Sequence, residues 1–304
     1  MKTLITGASG FLGTALCAEL NKTEDEITIL NSKNCDLTRH DTLNQFSHIS
    51  FDRIIHLAAW TQAGDFCLKH PGEQWVINQK INTHILSWWQ EKQSKAKFIA
   101  MGTSCAYDPS MELIEDNYMK GIPIDSLFTY AQTKRMLYAG LLAFKKQFNA
   151  KYLCLIPSTL YGPGYHTDGR QMHFIFDLIR KILEFKYKGT PIVLWGNGDQ
   201  KRELVFIDDF VKIMLKLSSL YDNSIFNIGA GEEYSIRQFA QIICDITGVN
   251  SNVIIYDTNK YTGAKSKCLN IDKLKNTSID ISMTPLKIGL RKTIKWFENY
   301  FFQS

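Results

Sequence analysis

Three absences in the 304-residue sequence exclude whole classes of protein. The seven cysteines are odd in number and not closely paired, so neither a disulfide framework nor a zinc site is expected. No apolar run approaches the length of a membrane span, and no signal peptide precedes the first predicted strand. The formal charge of +5 is scattered rather than gathered in a basic block, which argues against a nucleic-acid surface. We therefore expect a cytoplasmic protein without nucleic-acid or membrane partners and without a metal.

The beginning of the chain predicts a dinucleotide-binding loop. The apolar run Lys2–Thr6 predicts a buried strand and passes directly into Gly7-Ala-Ser-Gly10-Phe11-Leu12-Gly13 and a helical pattern over 14–20. The first glycine permits a tight turn, the second lets the backbone approach a pyrophosphate, and the third allows close helix–strand packing. Between a strand and a helix this spacing indicates dinucleotide binding, with a ligand-free glycine turn as the alternative.

The second predicted strand, Glu26–Leu30, should end near the adenosine ribose of the dinucleotide. An acid at that point is typical of NAD, whereas a base accommodates the 2′-phosphate of NADP. The sequence supplies no acid there, so Lys33 favours NADP(H); a solvated loop charge is the alternative, and NAD(H) stays open. Asp36 and Leu37 are typical of a turn that contacts adenine, although Asp36 has an alternative role as the cap of a helix near residue 41.

A third segment is expected to face the dinucleotide. The stretch 51–59 carries what we predict to be the fourth strand and, in Ala58 and Ala59, a small-residue loop where backbone can lie against the cofactor. Residues 60–72 are expected to form a loop over the ligand.

The remaining predicted elements are helices over 76–90 (with Asn78 as a structural hydrogen-bond donor or acceptor), 174–188, 210–220, 236–247 (capped by Ser235) and 285–297, and strands over 97–101, 224–229 and 252–256.

Tyr130 and Lys134 are four residues apart, which places them on one face of a predicted helix. A desolvated ammonium beside a phenol favours the phenolate and is expected to lower the pKa of the tyrosine. Such a pair can exchange a proton with a sugar oxygen while hydride moves at the carbon. The alternative is a solvated helix pair without function.

Five motifs follow one another along the chain: Gly7 to Gly13, His56-Leu-Ala-Ala59, Thr103-Ser-Cys-Ala-Tyr107, Tyr130-x-x-x-Lys134 and Pro157-Ser-Thr-Leu-Tyr-Gly-Pro163. In this order they resemble an extended short-chain dehydrogenase/reductase of the nucleotide-sugar type.

The resemblance implies an α/β fold: a doubly wound parallel sheet (Rossmann) with a smaller discontinuous α/β substrate domain. It implies a dinucleotide-binding domain over 1–160 and 204–220 and a nucleotide-sugar-binding domain over 161–203 and 221–304. It also implies a homodimer formed through the helix of Tyr130.

The same resemblance implies roles for individual residues. Thr103 takes the place of the hydroxyl residue that hydrogen-bonds the reacting oxygen, and Tyr130 that of the general acid/base. Lys134 would hold the nicotinamide ribose and tune Tyr130. Pro157 is expected beside the cofactor and Ser104 beside the substrate.

Within that superfamily the chain is most similar to the GDP-L-fucose synthases, which epimerise and then reduce GDP-4-keto-6-deoxymannose. Those enzymes carry a cysteine two residues after the catalytic hydroxyl residue, where Cys105 stands, and a histidine ten residues after a Tyr-Gly-Pro turn, where His173 stands. The pair resembles the base and acid that invert carbons beside the ketone. The alternatives are a small buried filler for Cys105 and a helix-start residue for His173.

The resemblance also extends to the nucleotide-sugar side. By similarity Arg202 contacts the diphosphate, Trp195 lies against nucleotide or sugar, and Lys267 is a further sugar-nucleotide contact. A salt bridge with Asp208 or Asp209 is the alternative for Arg202.

The function implied is a nucleotide-sugar oxidoreductase that acts at C4 of a GDP-linked 4-keto or 4-hydroxy sugar, with inversion at C3 or C5. The alternative is an NAD-linked C4-dehydrogenase or 4-epimerase of a sugar nucleotide such as a GDP-heptose, in which Cys105 and His173 only line the pocket. A non-catalytic dinucleotide-binding regulator is a third hypothesis, disfavoured because Thr103, Tyr130 and Lys134 are all present.

Overall fold

Parallel β-strands dominate the structure, a computed structural model that describes residues 1–259 and 265–302. The inner strands of the main sheet are apolar and buried, as in sheets covered on both faces. The strands are β1 (Lys2–Thr6), β2 (Glu26–Leu30), β3 (Arg53–His56), β4 (Lys97–Met101), β5 (Tyr152–Pro157), β6 (Thr159–Tyr161), β7 (Val193–Trp195), β8 (Lys201–Arg202), β9 (Leu204–Phe206), β10 (Ser224–Ile228), β11 (Tyr234–Ser235) and β12 (Ile255–Asp257).

Six of these strands form one parallel sheet in the order β10-β5-β4-β3-β1-β2. The winding reverses between β1 and β3, and in open α/β sheets ligands bind outside the carboxyl ends of the strands at such a point. Three two-stranded pairs complete the described strands: β6 with β9, β7 with β12, and β8 with β11. The predicted doubly wound parallel sheet is thereby confirmed.

Helices cover the sheet, and α1 packs on α6 as α3 packs on α4. Within residues 1–259 and 265–302 no helix combines the length and the apolar character that a membrane span requires. The helices are α1 (Phe11–Leu20), α2 (Phe66–Lys69), α3 (Pro71–Lys92), α4 (Phe128–Phe148), α5 (Phe174–Lys188), α6 (Ile207–Leu220), α7 (Ile236–Thr247), α8 (Asp272–Lys275) and α9 (Leu286–Phe301).

Most predicted elements are confirmed, and the differences lie at their ends. The helix over 174–188 and the Ser235 cap of α7 agree, and the cap is a capping box with Gln238. α3 begins at Pro71, five residues before its predicted start, because a proline fits the first helical turn without cost. Part of the predicted loop over 60–72 therefore belongs to α2 and α3.

The strand over 51–59 is the third strand and not the predicted fourth. Between β2 and β3 the chain forms turns and one short 3-10 helix, Asn44–Phe46, with no strand. Asp36 caps no helix near residue 41: its carboxylate accepts hydrogen bonds from the Thr38 backbone N–H and hydroxyl, at 3.0 and 2.7 Å. A side chain bonded to the backbone two residues on makes a local turn.

Two hydrophobic cores lie in the structure. The first surrounds the main sheet, and the second is built from α5, α7, α9 and the short strands beside them. Phe11 of the glycine loop reaches the second core, with ring-to-ring distances of 5.3 Å to Tyr165 and 5.6 Å to Phe176. The predicted division placed residues 221–304 in the second domain, but β10 is an edge strand of the main sheet because its backbone pairs with β5. The other boundaries stay predictions.

A directed hydrogen-bond chain crosses the centre of the first core. The Thr6 hydroxyl accepts from the backbone N–H groups of Leu57 and Ala58, both at 3.2 Å. These bonds occupy both of its lone pairs, so it donates its own proton to His56 Nδ1, at 2.8 Å. His56 Nε2 donates to Asn82 Oδ1, at 3.2 Å, and Asn82 Nδ2 donates to the Thr133 carbonyl, at 3.4 Å. This pattern requires the neutral imidazole. Burial, followed by the charge of Lys134, lowers the pKa of His56 to about 3.

His56→Gln should flatten the loss of stability on the acid side. The unfolded chain protonates this residue below a pKa of about 6.5, whereas the folded chain does so only near 3. The stabilisation from the neutral ring is complete above the unfolded pKa and is lost as the pH falls toward the folded pKa, at up to about 1.4 kcal/mol per pH unit. Urea unfolding from neutral to acid pH measures this slope, and the exposed His48→Gln is the matched control. Equal slopes in wild type and His56→Gln would contradict the assignment.

Candidate active site

The glycine loop forms a close backbone cradle at the switch point of the sheet. Gly7 has a φ of 68°, and a Cβ placed there would lie 2.7 Å from the Ala58 nitrogen. A Cβ on Gly13 would lie 2.4 Å from the Gly7 oxygen. Gly10 is the N-cap of α1 and has no side chain to satisfy the first N–H groups of the helix. The loop therefore fits a pyrophosphate, which open N–H groups and the helix dipole attract.

The other predicted cofactor residues line the same edge of the sheet. Ala58 and Ala59 follow β3 and Pro157 ends β5; all three are partly exposed. Leu12 packs on the first core beneath the loop. Their contacts with a dinucleotide stay predictions.

At the expected adenosine end, an asparagine turn presents Lys33 to solvent. Asn31 Oδ1 accepts the Lys33 backbone N–H at 2.9 Å, and Asn34 Oδ1 accepts the Asn31 N–H at 2.8 Å. Leu37 is buried, and its carbonyl accepts from His84 Nδ1 at 2.9 Å. The turn leaves the charge of Lys33 exposed beside the end of β2.

Tyr130 and Lys134 lie on α4, with the ammonium 6.0 Å from the centre of the tyrosine ring. Burial raises the pKa of Tyr130, as do the charges of Cys105 and Cys67, while hydrogen bonding to Thr103 opposes the rise. The prediction that Lys134 lowers this pKa is therefore wrong, because desolvation dominates. Burial lowers the pKa of Lys134 to about 8. The phenol is protonated at neutral pH, which is the form that can donate a proton.

Thr103 and Cys105 begin the turn that follows β4. Thr103 Oγ1 accepts the Cys105 backbone N–H at 3.2 Å, and the Thr103 N–H donates to the Tyr118 hydroxyl at 3.3 Å. The first bond caps the short 3-10 helix Ser104–Ala106 and fixes the hydroxyl beside Tyr130. The predicted trio of Thr103, Tyr130 and Lys134 thus comes from the turn after β4 and from α4.

Lys267 contacts Cys105 directly. Its Nζ lies 3.0 Å from Sγ, although the two residues are 162 positions apart. Burial raises the pKa of the Cys105 thiol, but the charge and hydrogen bond of Lys267, the Thr103 hydroxyl and the charge of Arg202 outweigh it, so that the pKa is lowered. A thiol of lowered pKa is the form of cysteine that acts as a base or nucleophile.

His173 is the N-cap residue of α5 and stands at the open side of the cleft. Its backbone N–H donates to the Tyr165 hydroxyl at 3.4 Å. His173 is exposed at the protein surface. Desolvation by the surrounding atoms, followed by the charges of Lys267 and His166, lowers the pKa of His173. The imidazole is therefore neutral at pH 7.

The other predicted substrate residues differ in exposure. Ser104 is buried, Trp195 is 58% exposed at the end of β7, and Arg202 is partly exposed on β8. The charge of Arg202 reaches Cys105. Asp209, one of the two alternative partners proposed for Arg202, accepts hydrogen bonds from the Thr284 backbone N–H and hydroxyl, at 2.6 and 3.0 Å.

Sequence reasoning missed two residues of the cleft. Cys67 on α2 is buried, burial raises the pKa of its thiol, and the residue contributes to the raised pKa of Tyr130. His166 packs its ring 4.1 Å from that of Tyr165 and influences the pKa of His173. A single cysteine or histidine in a loop carries no sequence signal. Among residues 1–259 and 265–302 no group of His, Cys, Asp or Glu is arranged to hold a metal ion.

The doubly wound sheet with its glycine loop is the fold of a dinucleotide-dependent enzyme. A family model described as the NAD dependent epimerase/dehydratase family matches residues 3–229, and the chain belongs to that family. The sequence-based class, an NAD(P)-dependent nucleotide-sugar epimerase/reductase, is confirmed at this level.

Individual relatives align over nearly the whole chain. A GDP-L-fucose synthase of Dictyostelium discoideum is 28% identical and covers 98% of this chain and 95% of its own. A GDP-L-colitose synthase of Yersinia pseudotuberculosis is 25% identical over 98% of both chains. A solved GDP-L-fucose synthetase of Naegleria fowleri bound to NADP superposes with a TM-score of 0.87 at 25% identity, covering 99% of this chain and 95% of that one.

Gly13→Ala should weaken dinucleotide binding at least about tenfold, because the added methyl group would collide with backbone that cannot move away. The matched control is Gly72→Ala, since a Cβ there meets nothing within 4 Å. Fluorescence titration with NADPH and with NADH measures both variants. Unchanged affinity in Gly13→Ala would contradict the assignment of the loop.

Proposed function

We propose that the protein inverts one or more carbons next to the ketone of a GDP-linked 4-keto-6-deoxy sugar and reduces the ketone at C4 with NADPH. The observation that carries the proposal is the Cys105–Lys267 pair, with Nζ 3.0 Å from Sγ, in the same cleft as Thr103 and Tyr130. A plain C4 oxidoreductase needs no such thiol. The names of the two relatives, a GDP-L-fucose synthase and a GDP-L-colitose synthase, favour the same substrate class.

In the first part of the proposed reaction Cys105 acts as the base. Its thiolate takes a proton from a carbon beside the ketone, and the C–H electron pair becomes the double bond of an enolate whose charge rests on O4. The hydroxyl groups of Thr103 and Tyr130 hold that oxygen. Return of a proton from His173 to the opposite face of the same carbon inverts it.

His173 must be protonated to act as that donor, and its low pKa in the unliganded cleft opposes this. A bound nucleotide diphosphate would place two negative charges near Arg202 and Lys267. An opposite charge nearby favours the imidazolium form and offsets the desolvation. Substrate binding would then raise the pKa of His173, so that the imidazole is protonated when the substrate is bound.

In the second part, a bound nicotinamide supplies the hydride for C4. Tyr130 donates its phenolic proton to O4, which suits a phenol that is neutral in the free site. Thr103 fixes the oxygen. Lys134, with its pKa of about 8, would hold the nicotinamide ribose and favour the phenolate that forms.

The remaining contacts follow the sequence-based assignments. We assign Ser104, Trp195, Arg202 and Lys267 to the nucleotide-sugar. We assign NADP(H) rather than NAD(H) as the preferred cofactor, because β2 ends without an acid and Lys33 is exposed beside it. A homodimer through α4 and a cytoplasmic location complete the proposal.

Tyr130→Phe should lower the rate of NADPH oxidation by a factor of about 10² to 10⁴ while leaving NADPH affinity nearly unchanged. The variant loses the proton donor and keeps the ring that fills the cleft. Tyr138→Phe, on the same helix, is the matched control. Full turnover in Tyr130→Phe would refute the role. If wild type and control also show no turnover but bind NADPH, a non-catalytic regulator is favoured instead.

Cys105→Ser should slow deuterium uptake from heavy water into the keto sugar by at least about 10²-fold, because a serine hydroxyl is a far weaker base than a thiolate. Reduction of the ketone should continue in part. Cys17→Ser, at a partly exposed cysteine of α1, is the control. Uptake as fast as in the wild type would exclude Cys105 as the base and would favour the C4-dehydrogenase or 4-epimerase alternative.

A further inference from the structure

Two carboxylates hold the segment that carries Lys267. Glu233 accepts hydrogen bonds from the Ser266 hydroxyl, at 2.7 Å, and from the Lys267 backbone N–H, at 3.3 Å. Glu203, which is 1% exposed, accepts from the Leu269 backbone N–H at 3.0 Å. The backbone on both sides of Lys267 is therefore anchored, and its side chain is directed to Cys105.

We propose that Lys267 is a positioning residue for Cys105: its ammonium, 3.0 Å from Sγ, holds the cysteine as a thiolate before substrate arrives. This inference deepens the proposed function and rests on the role of Cys105 as the base. It gives Lys267 a task other than the substrate contact implied by sequence similarity.

The other groups that face Cys105 do not supply this charge. Thr103 contributes a hydroxyl, and the charge of Arg202 has a smaller influence than that of Lys267. Tyr130 and the buried Cys67 are neutral at pH 7, because burial raises the pKa values of both. If they ionised, their negative charge would oppose a thiolate at Cys105. Lys267 is the largest of the influences that lower the pKa of Cys105.

The same ammonium acts on the proposed acid. After the enclosure of the cleft, the charge of Lys267 is the next cause of the low pKa of His173. The charge of Lys267 thus favours the thiolate of Cys105 and disfavours the imidazolium of His173. A diphosphate bound at Lys267 would shift that balance, since its charge opposes that of the ammonium.

Two roles of Lys267 make different predictions. A residue that only binds the diphosphate raises the KM of the substrate and leaves the chemistry of the free cysteine unchanged. A residue that holds the thiolate changes the reactivity of Cys105 in the absence of any substrate. Alkylation of the cysteine in the free protein therefore separates the two.

The test is the pH profile of Cys105 alkylation by iodoacetamide in the full chain, quantified on the Cys105 peptide by mass spectrometry. In the wild type the midpoint should lie below that of an ordinary thiol. Lys267→Met should raise the midpoint by about one pH unit or more, with a rate about tenfold lower near neutral pH. Lys267→Arg should keep a midpoint close to the wild type, and Lys265→Met, at an exposed lysine of the same segment, should not move it.

An unchanged midpoint in Lys267→Met would overturn the proposal, as would a raised KM without any change in alkylation. NADPH binding checks that Lys267→Met is folded. If that variant does not bind NADPH, the Lys267→Arg variant decides: a Cys105 alkylation midpoint as high as that of a free thiol would overturn the proposal. The alkylation assay needs no substrate, so it is independent of the proposed function. A raised alkylation midpoint in Lys267→Met, together with no deuterium uptake by the wild type, would contradict the epimerase function and still support the pairing of Lys267 with Cys105.

Discussion

The hydrogen-bond chain from the Ala58 backbone through Thr6, His56 and Asn82 to the Thr133 carbonyl is the constraint on which the site depends. It joins β1, β3, α3 and α4 in a buried region where an unpaired polar group would cost free energy. Each donor in it has one acceptor, so the direction of the chain fixes the neutral imidazole. These hydrogen bonds therefore connect the loop at Ala58 to α4, the helix that carries Tyr130 and Lys134.

In the cleft beside this hydrogen-bond chain, desolvation and the charge of Lys267 set the protonation states of Tyr130 and Cys105. Burial alone would keep a thiol and a phenol neutral, and it does so for Tyr130. Cys105 is the exception because Lys267 contacts it. Environments that push the pKa values of neighbouring groups apart are how one site assigns an acid and a base.

Local patterns predicted what local physics determines. The run Lys2–Thr6, the glycine spacing after it and the amphipathic stretch of α5 are specified by residues a few positions apart. What failed depends on distant residues. β10 joins the main sheet because β5 offers it a free edge, which no property of its own five residues records. The contact of Lys267 with Cys105 spans 162 positions, and the raised pKa of Tyr130 follows from burial that the spacing to Lys134 does not reveal.

The most direct test of the central claim, that one cleft carries both proton exchange and hydride transfer, is mass spectrometry of GDP-4-keto-6-deoxymannose incubated with the wild-type protein in heavy water, with and without NADPH. Deuterium should enter beside the ketone without NADPH, and with NADPH the same label should appear in a reduced product. Reduction without deuterium would contradict the claim and leave a C4 reductase, in which Cys105 and His173 only line the pocket.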